Sequence, residues 1–142
     1  MINSLIAKVP IEINADKAAV WKALIEPEMI KQYLFGTEVE CDWKVGSPIR
    51  WRGVWEGKRY EDKGTVLENI PEKKLKTNYW SSMSGSADIP ENYVTVTYEL
   101  EEKGSSTVLT IIQDGIKTEE AKKHMEENWM CVLGGIKKLL EK

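Results

Sequence analysis

Beyond Gly115, the residues Ala121, Met125, Trp129, Val132, Leu133, Ile136, Leu139 and Leu140 recur at three- and four-residue intervals, the spacing that lines one face of an α-helix. Thr118 stands where a capping hydroxyl is needed, and Glu119 and Glu120 follow in the first turn, where the helix dipole favours negative charge. The stripe predicts a helix of about twenty-four residues, about 36 Å long. An apolar face of that length has to be covered, and only an extended surface elsewhere in the chain can cover it.

That surface is written in the middle of the chain. From Thr37 to Asp114 the period changes to two, punctuated by turn signals at Lys44-Val45-Gly46, Glu56-Gly57-Lys58, Pro71-Glu72-Lys73 and Lys103-Gly104-Ser105. Ile49, Trp51 and Trp55 alternate with Arg50, Arg52 and Glu56, while Val94, Val96, Tyr98 and Leu100 alternate with Thr95, Thr97, Glu99 and Glu101. Such alternation predicts an antiparallel meander with one dry face and one wet face.

Ahead of the meander, Leu5, Ala7, Val9, Ile11 and Ile13 form the apolar side of a first strand. Pro10 predicts an edge position or a bulge there, because proline donates no ladder hydrogen bond. Asn14-Ala15-Asp16 then offers a cap for a short helix carrying Ala18, Val20, Trp21, Leu24 and Ile25. Pro27 suits the first turn of a second helix, with Met29, Ile30, Tyr33 and Leu34 on one face and Gly36 ending it. Ser81 to Glu91 has no period and is long for a hairpin connection, which predicts a mobile loop or a lid. The fold class is therefore α+β: a curved antiparallel sheet of about six to seven strands wrapped around a long C-terminal helix, with two short helices after the first strand. Residues 1–142 are expected to share one core, and such a wrap leaves room between sheet and helix.

Charge and composition remove several classes of function. The net charge of −3, from 23 acidic and 20 basic residues, provides no excess positive field for nucleic acid. The pairs Lys73-Lys74, Lys122-Lys123 and Lys137-Lys138 lie beside glutamates and read as solvated faces. The opening residues lack the pattern of a secretory signal and no run reaches ~18 apolar residues, so a cytoplasmic protein without a membrane span is expected. Cys41 and Cys131 form no Cys-x-x-Cys pair and are expected to be reduced packing residues. With His124 as the one histidine and no glycine-rich phosphate loop, neither a metal nor a nucleotide cofactor is expected, and His124 itself reads as a helix residue without a role.

Six tryptophans in 142 residues form the unusual chemistry of the chain. Trp51, Trp55 and Trp129 fall on predicted inward faces, with Tyr79 and Tyr98 on neighbouring strands and Tyr33 at the end of the second helix. Met125 and Val132 flank Trp129 one turn away on either side. Aromatics lining a concavity offer broad apolar contact and occasional polar tips. Trp80 has the opposite parity to Tyr79 and is expected on the outer face, where a protein partner could use it.

The order of these elements, with particular residues, resembles the activator of heat-shock-protein-90 ATPase homologue-like family of the START-like superfamily. The resemblance is carried by Ala18-Ala19-Val20-Trp21-Lys22-Ala23-Leu24 with Pro27-Glu28, by the turn before the Trp51 strand, and by Gly64-Thr65-Val66-Leu67-Glu68 with Pro71 and Leu75. Thr107-Val108-Leu109-Thr110-Ile111 with Gln113 and Gly115 continues it, and the ending from Asn128-Trp129 through Leu133-Gly134-Gly135 to Glu141 completes it. It implies a helix grip with a cavity between sheet and helix, holding an apolar small molecule, a lipid or a polyketide-like compound. Glu68 lies within a family motif and shares parity with Val66, which makes it the leading candidate, ahead of Glu56, Glu61 and Asp62, for a carboxyl facing that cavity.

The expected ligand-binding residues are thus Tyr33, Trp51, Trp55, Glu68, Tyr79, Tyr98, Met125, Trp129 and Val132, in a monomer or weak dimer. The resemblance also implies a chaperone-associated interaction module, as the alternative behind ligand binding; a cofactor-free cyclase or hydrolase, using Glu68 with Tyr79 or Tyr98, is a third reading, behind both.

Overall fold

The computed structural model describes residues 5–34, 36–82 and 85–141, and of Trp55 the backbone alone. The chain runs β1 (Leu5–Ile13), α1 (Lys17–Ile25), α2 (Pro27–Tyr33), β2 (Glu38–Glu40), β3 (Pro48–Trp55), β4 (Lys58–Ile70), β5 (Lys74–Tyr79), a 3-10 turn (Pro90–Asn92), β6 (Val94–Lys103), β7 (Ser106–Ile116) and α3 (Glu119–Leu140). The seven described strands form one antiparallel sheet in the order β1-β7-β6-β5-β4-β3-β2. The α1–α2 pair carries the chain from one sheet edge, β1, to the other, β2.

Local chemistry explains the joints. Pro10 lies opposite Thr110 on an edge strand, in unbroken register with Val9 and Ile11, so of the two alternatives for this proline the edge position is the one found; the strand's register shift falls earlier, between Leu5 and Ala7. Asp16 caps α1 by accepting from the Ala19 N–H at 2.8 Å, and Thr118 caps α3 by accepting from Ala121 at 3.0 Å. Glu56 and Gly57 both have positive φ, 49° and 80°, as a two-residue turn matched to strand twist requires. The final helix has 22 residues, close to the length its stripe predicts.

The core occupies one half of the wrap. Ile13, Ile49, Val66, Leu75, Leu109 and Ile111 from the sheet meet Val20 of α1 and Leu133 and Ile136 of α3, all fully buried. Nearer its N-terminus, the same helical stripe is only half-buried at Met125 and Trp129. Of the two cysteines, both free, Cys41 packs partly against the core, but Cys131 is exposed: it sits about 100° around α3 from Val132, on the solvent side. His124 is exposed on the same helix.

Candidate functional site

Where the stripe of α3 is incompletely buried, a hollow of about 650 Å³ lies between helix and concave sheet. Strand alternation aims its wall. On β4, Tyr60, Asp62, Gly64 and Val66 share the inward parity, and on β7 so do Leu109, Ile111 and Gln113. The structure brings Tyr33, Trp51, Tyr79, Tyr98, Met125, Trp129 and Val132 together around this space. The side chain of Trp55 lies outside the described residues, as do Phe35, Met83 and Ser84.

Glu68 stands elsewhere. The β4–β5 register runs Val66 to Thr77 and then Glu68 to Lys76, so a bulge inserts one residue and turns Glu68 to the outer face. There it pairs with Lys74 at 3.2 Å, partly exposed. The acid in the wall is Asp62, only 8% exposed. Its Oδ2 accepts from the Tyr79 hydroxyl at 2.6 Å, and its Oδ1 accepts from the Ser82 N–H at 3.0 Å and the Ser82 hydroxyl at 3.3 Å.

The aromatic contacts are edge-on within the hollow. Trp51 and Tyr79 have ring centroids 5.2 Å apart at 66°, and Tyr98 and Trp129 are 6.3 Å apart at 90°. Gly64 makes the first pair possible: a Cβ there would overlap the Asn78 carbonyl and press on the Trp51 indole 3.0 Å away. The Trp129 indole N–H donates to Gln113 Oε1 at 2.8 Å. Trp80 is not turned away on an outer face but lines the rim, stacked on Tyr93 at 6.4 Å, its N–H on Ser86 at 3.3 Å. Regular β5 ends at Tyr79, and strict alternation ends with it.

Burial dominates the titration of the tyrosines. It pushes the Tyr98 hydroxyl up to about 12, and it holds Tyr79, with help from its bond to Asp62, far above the ordinary tyrosine range. Tyr33 is raised well above it as well, with its hydroxyl donating to the Ala23 carbonyl at 2.8 Å. Trp43 also lines the hollow, from a left-handed backbone (φ 65°) pinned by the Asn69 amide on its carbonyl at 2.7 Å. Among the described residues no group of three His, Cys, Asp or Glu side chains gathers as a metal site would require. A second hollow, about 450 Å³, is formed by Thr118, Ala121, His124 and neighbours at the start of α3 alone and has no apolar wall opposite.

Alternation and helical spacing reach the aromatic wall and include Asp62 among the candidate carboxyls, but they rank it behind Glu68 and pass over Gln113, Tyr60 and Trp43 as wall residues. The signal for Asp62 was its parity with Gly64 and Val66, and for Gln113 its parity with Ile111. Trp43 precedes the regular strand and carried none.

A curved antiparallel sheet gripping a long C-terminal helix across such a hollow defines the START-like helix-grip class. Within it, the chain belongs to the family of activator of Hsp90 ATPase homolog 1-like proteins, whose sequence model matches residues 14–141. A protein of Cytophaga hutchinsonii known from its solution structure is 46% identical, with 99% of this chain and 96% of that chain covered and a TM-score of 0.87. The Aha1 dimer from Colwellia psychrerythraea shares the fold at 19% identity, covering 96% of both chains with a TM-score of 0.75. DynU16, of the dynemicin biosynthetic locus, shares it at 17% identity, with 96% of this chain and 47% of that chain covered and a TM-score of 0.79. No curated protein matches the chain. No helix among the described residues is long and apolar enough to cross a membrane.

Proposed function

We propose that this protein is a cytoplasmic binding protein that holds an apolar small molecule, polyketide-like or lipid-like in its carbon skeleton, between the concave sheet and the N-terminal half of α3. The observation that carries this reading is the hollow itself, whose volume of about 650 Å³ falls within the ~300–1,000 Å³ of small-molecule sites. Tyr33, Trp51, Tyr79, Tyr98, Met125, Trp129 and Val132 act as the contact surface, and Gln113 and Tyr98 offer polar tips. The two free cysteines agree with a reducing compartment.

Dispersion and burial supply the affinity. Covering ~300 Å² of apolar ligand surface is worth about 7 kcal/mol before association costs, which sets the expected dissociation constant in the micromolar range or weaker. The test is a thermal-shift screen of flavonoids, polycyclic phenols and long-chain alcohols, followed by calorimetric titration of the hits. A saturable, one-to-one interaction that Trp129→Ala weakens at least five-fold supports the reading. A library that leaves the melting temperature unmoved contradicts it.

The family's association with Hsp90 ATPase activation favours a second reading, a chaperone-associated interaction module. A low-salt pull-down that recovers a stoichiometric chaperone, insensitive to substitutions in the hollow, would favour that reading instead.

A further inference from the structure

The charge of the hollow separates ligand classes that its shape admits equally. Asp62 is the one charged side chain among the described lining residues, and no Lys, Arg or His joins the wall. Of the basic side chains flanking it on β3 and β4, Arg52 pairs with Glu61 at 2.6 Å and Lys63 with Asp88 at 3.0 Å, while Arg50 donates to the Ile49 carbonyl at 3.0 Å and is not part of the wall. Asp62 cannot turn away to follow them, because Tyr79 and Ser82 hold both of its oxygens. Each carboxylate oxygen takes about two donors. Among the described residues, the Ser82 N–H and hydroxyl fill Oδ1, while Oδ2 carries the Tyr79 hydroxyl and has room for one more.

The second polar feature is fixed just as firmly. An indole N–H can only donate, so Trp129 dictates which way the Gln113 amide faces: the oxygen turns to the indole, and the NH₂ is left to meet an acceptor. Tyr98 lines the same space, and among the described residues its hydroxyl has no hydrogen-bond partner. The wall thus contains one anionic acceptor and neutral donors, and nothing that neutralises an anion.

We infer that the hollow selects non-anionic ligands: an apolar body bearing a hydroxyl or protonated amine directed at Asp62, with carboxylate-bearing lipids such as free fatty acids excluded. The inference rests on the reading of the hollow as a ligand site and adds the ligand's charge to it. An anion brought beside the largely buried Asp62 meets a like charge with no counter-ion in the wall, and like charges in such surroundings are disfavoured.

Three probes with one ring system test this: 2-naphthol, protonated 2-naphthylmethylamine and 2-naphthoate, titrated calorimetrically at pH 7 and low salt into the wild type and Asp62→Asn. The naphthol and the amine should bind, with naphthoate weaker by about 10- to 100-fold. In Asp62→Asn the gap should narrow to within about three-fold, chiefly because naphthoate improves and the amine weakens. The hydroxyl and amine arms show which donor Asp62 prefers. Naphthoate binding as tightly as naphthol to the wild type overturns the inference and leaves the ligand site standing, as does an unchanged gap in a folded Asp62→Asn. If that variant does not fold, the wild-type ratio decides alone. If none of the three binds, the ligand-site reading falls and takes the inference with it.

Discussion

Trp129 joins three roles in one side chain, bordering the hollow, meeting Tyr98 edge-on and donating to Gln113. From sequence alone, Trp129→Phe is expected to cost the fold little. The hydrogen bond changes that: phenylalanine leaves the Gln113 oxygen unpaired, so we expect a loss of about 1 to 3 kcal/mol in urea unfolding. Trp129→Ala should fall below the ~3 to 5 kcal/mol of a close-packed aromatic, because part of the indole already faces open space. A full-sized penalty would mark the residue as plain core. Tyr98 gives a second prediction. Its folded-state pKa of about 12 exceeds the unfolded value near 10, so the contribution is complete below pH ~10 and disappears as pH rises through about 12, to a total of about 2 to 3 kcal/mol. Stability measured by urea at pH 9 to 12 should decline more shallowly in Tyr98→Phe than in the wild type. Aromatic residues such as these were legible in the sequence because parity and helical spacing decide their face. That Asp62 rather than Glu68 faces inward, and that Gln113 does, was not, since polarity alone gives an inward register no mark until the neighbouring strand is placed.

At the scale of elements, β4 places the one charged side chain among the described lining residues. Its first half presents Tyr60, Asp62 and Gly64 inward, and its bulge then reverses the parity that had recommended Glu68. A bulge leaves no mark in an alternation pattern, which is why the strand could be read from sequence and its second half could not. The four turns, by contrast, were legible in their glycines and proline. Gly64→Ala is expected to force the Asn78 carbonyl and the Trp51 indole apart at a cost of about 1 to 3 kcal/mol, and a melting temperature within a degree of wild type would contradict that packing. For α3, loss of the cap in Thr118→Ala should cost about 1 kcal/mol by chemical denaturation, with binding in the hollow unaffected because the cap lies outside its wall.

The whole molecule divides along α3 into a packed half and a hollow half. Leu133 and Ile136 are fully buried against the sheet, whereas Met125 and Trp129, on the same stripe, remain half-buried. Spacing alone made the two halves look alike, because the periodicity of a stripe records which residues face inward and not how far away the opposing wall stands. The direct test is a two-dimensional ¹⁵N–¹H titration of the wild type with 2-naphthol, following the indole N–H signals. The account predicts that Trp51 and Trp129 shift together and saturate at one equivalent, along with the Gln113 side-chain amide. Trp21, buried in the core and absent from the wall of the hollow, should stay in place. Shifts scattered over the outer sheet face, or an unchanged Trp129 signal at millimolar ligand, would contradict it.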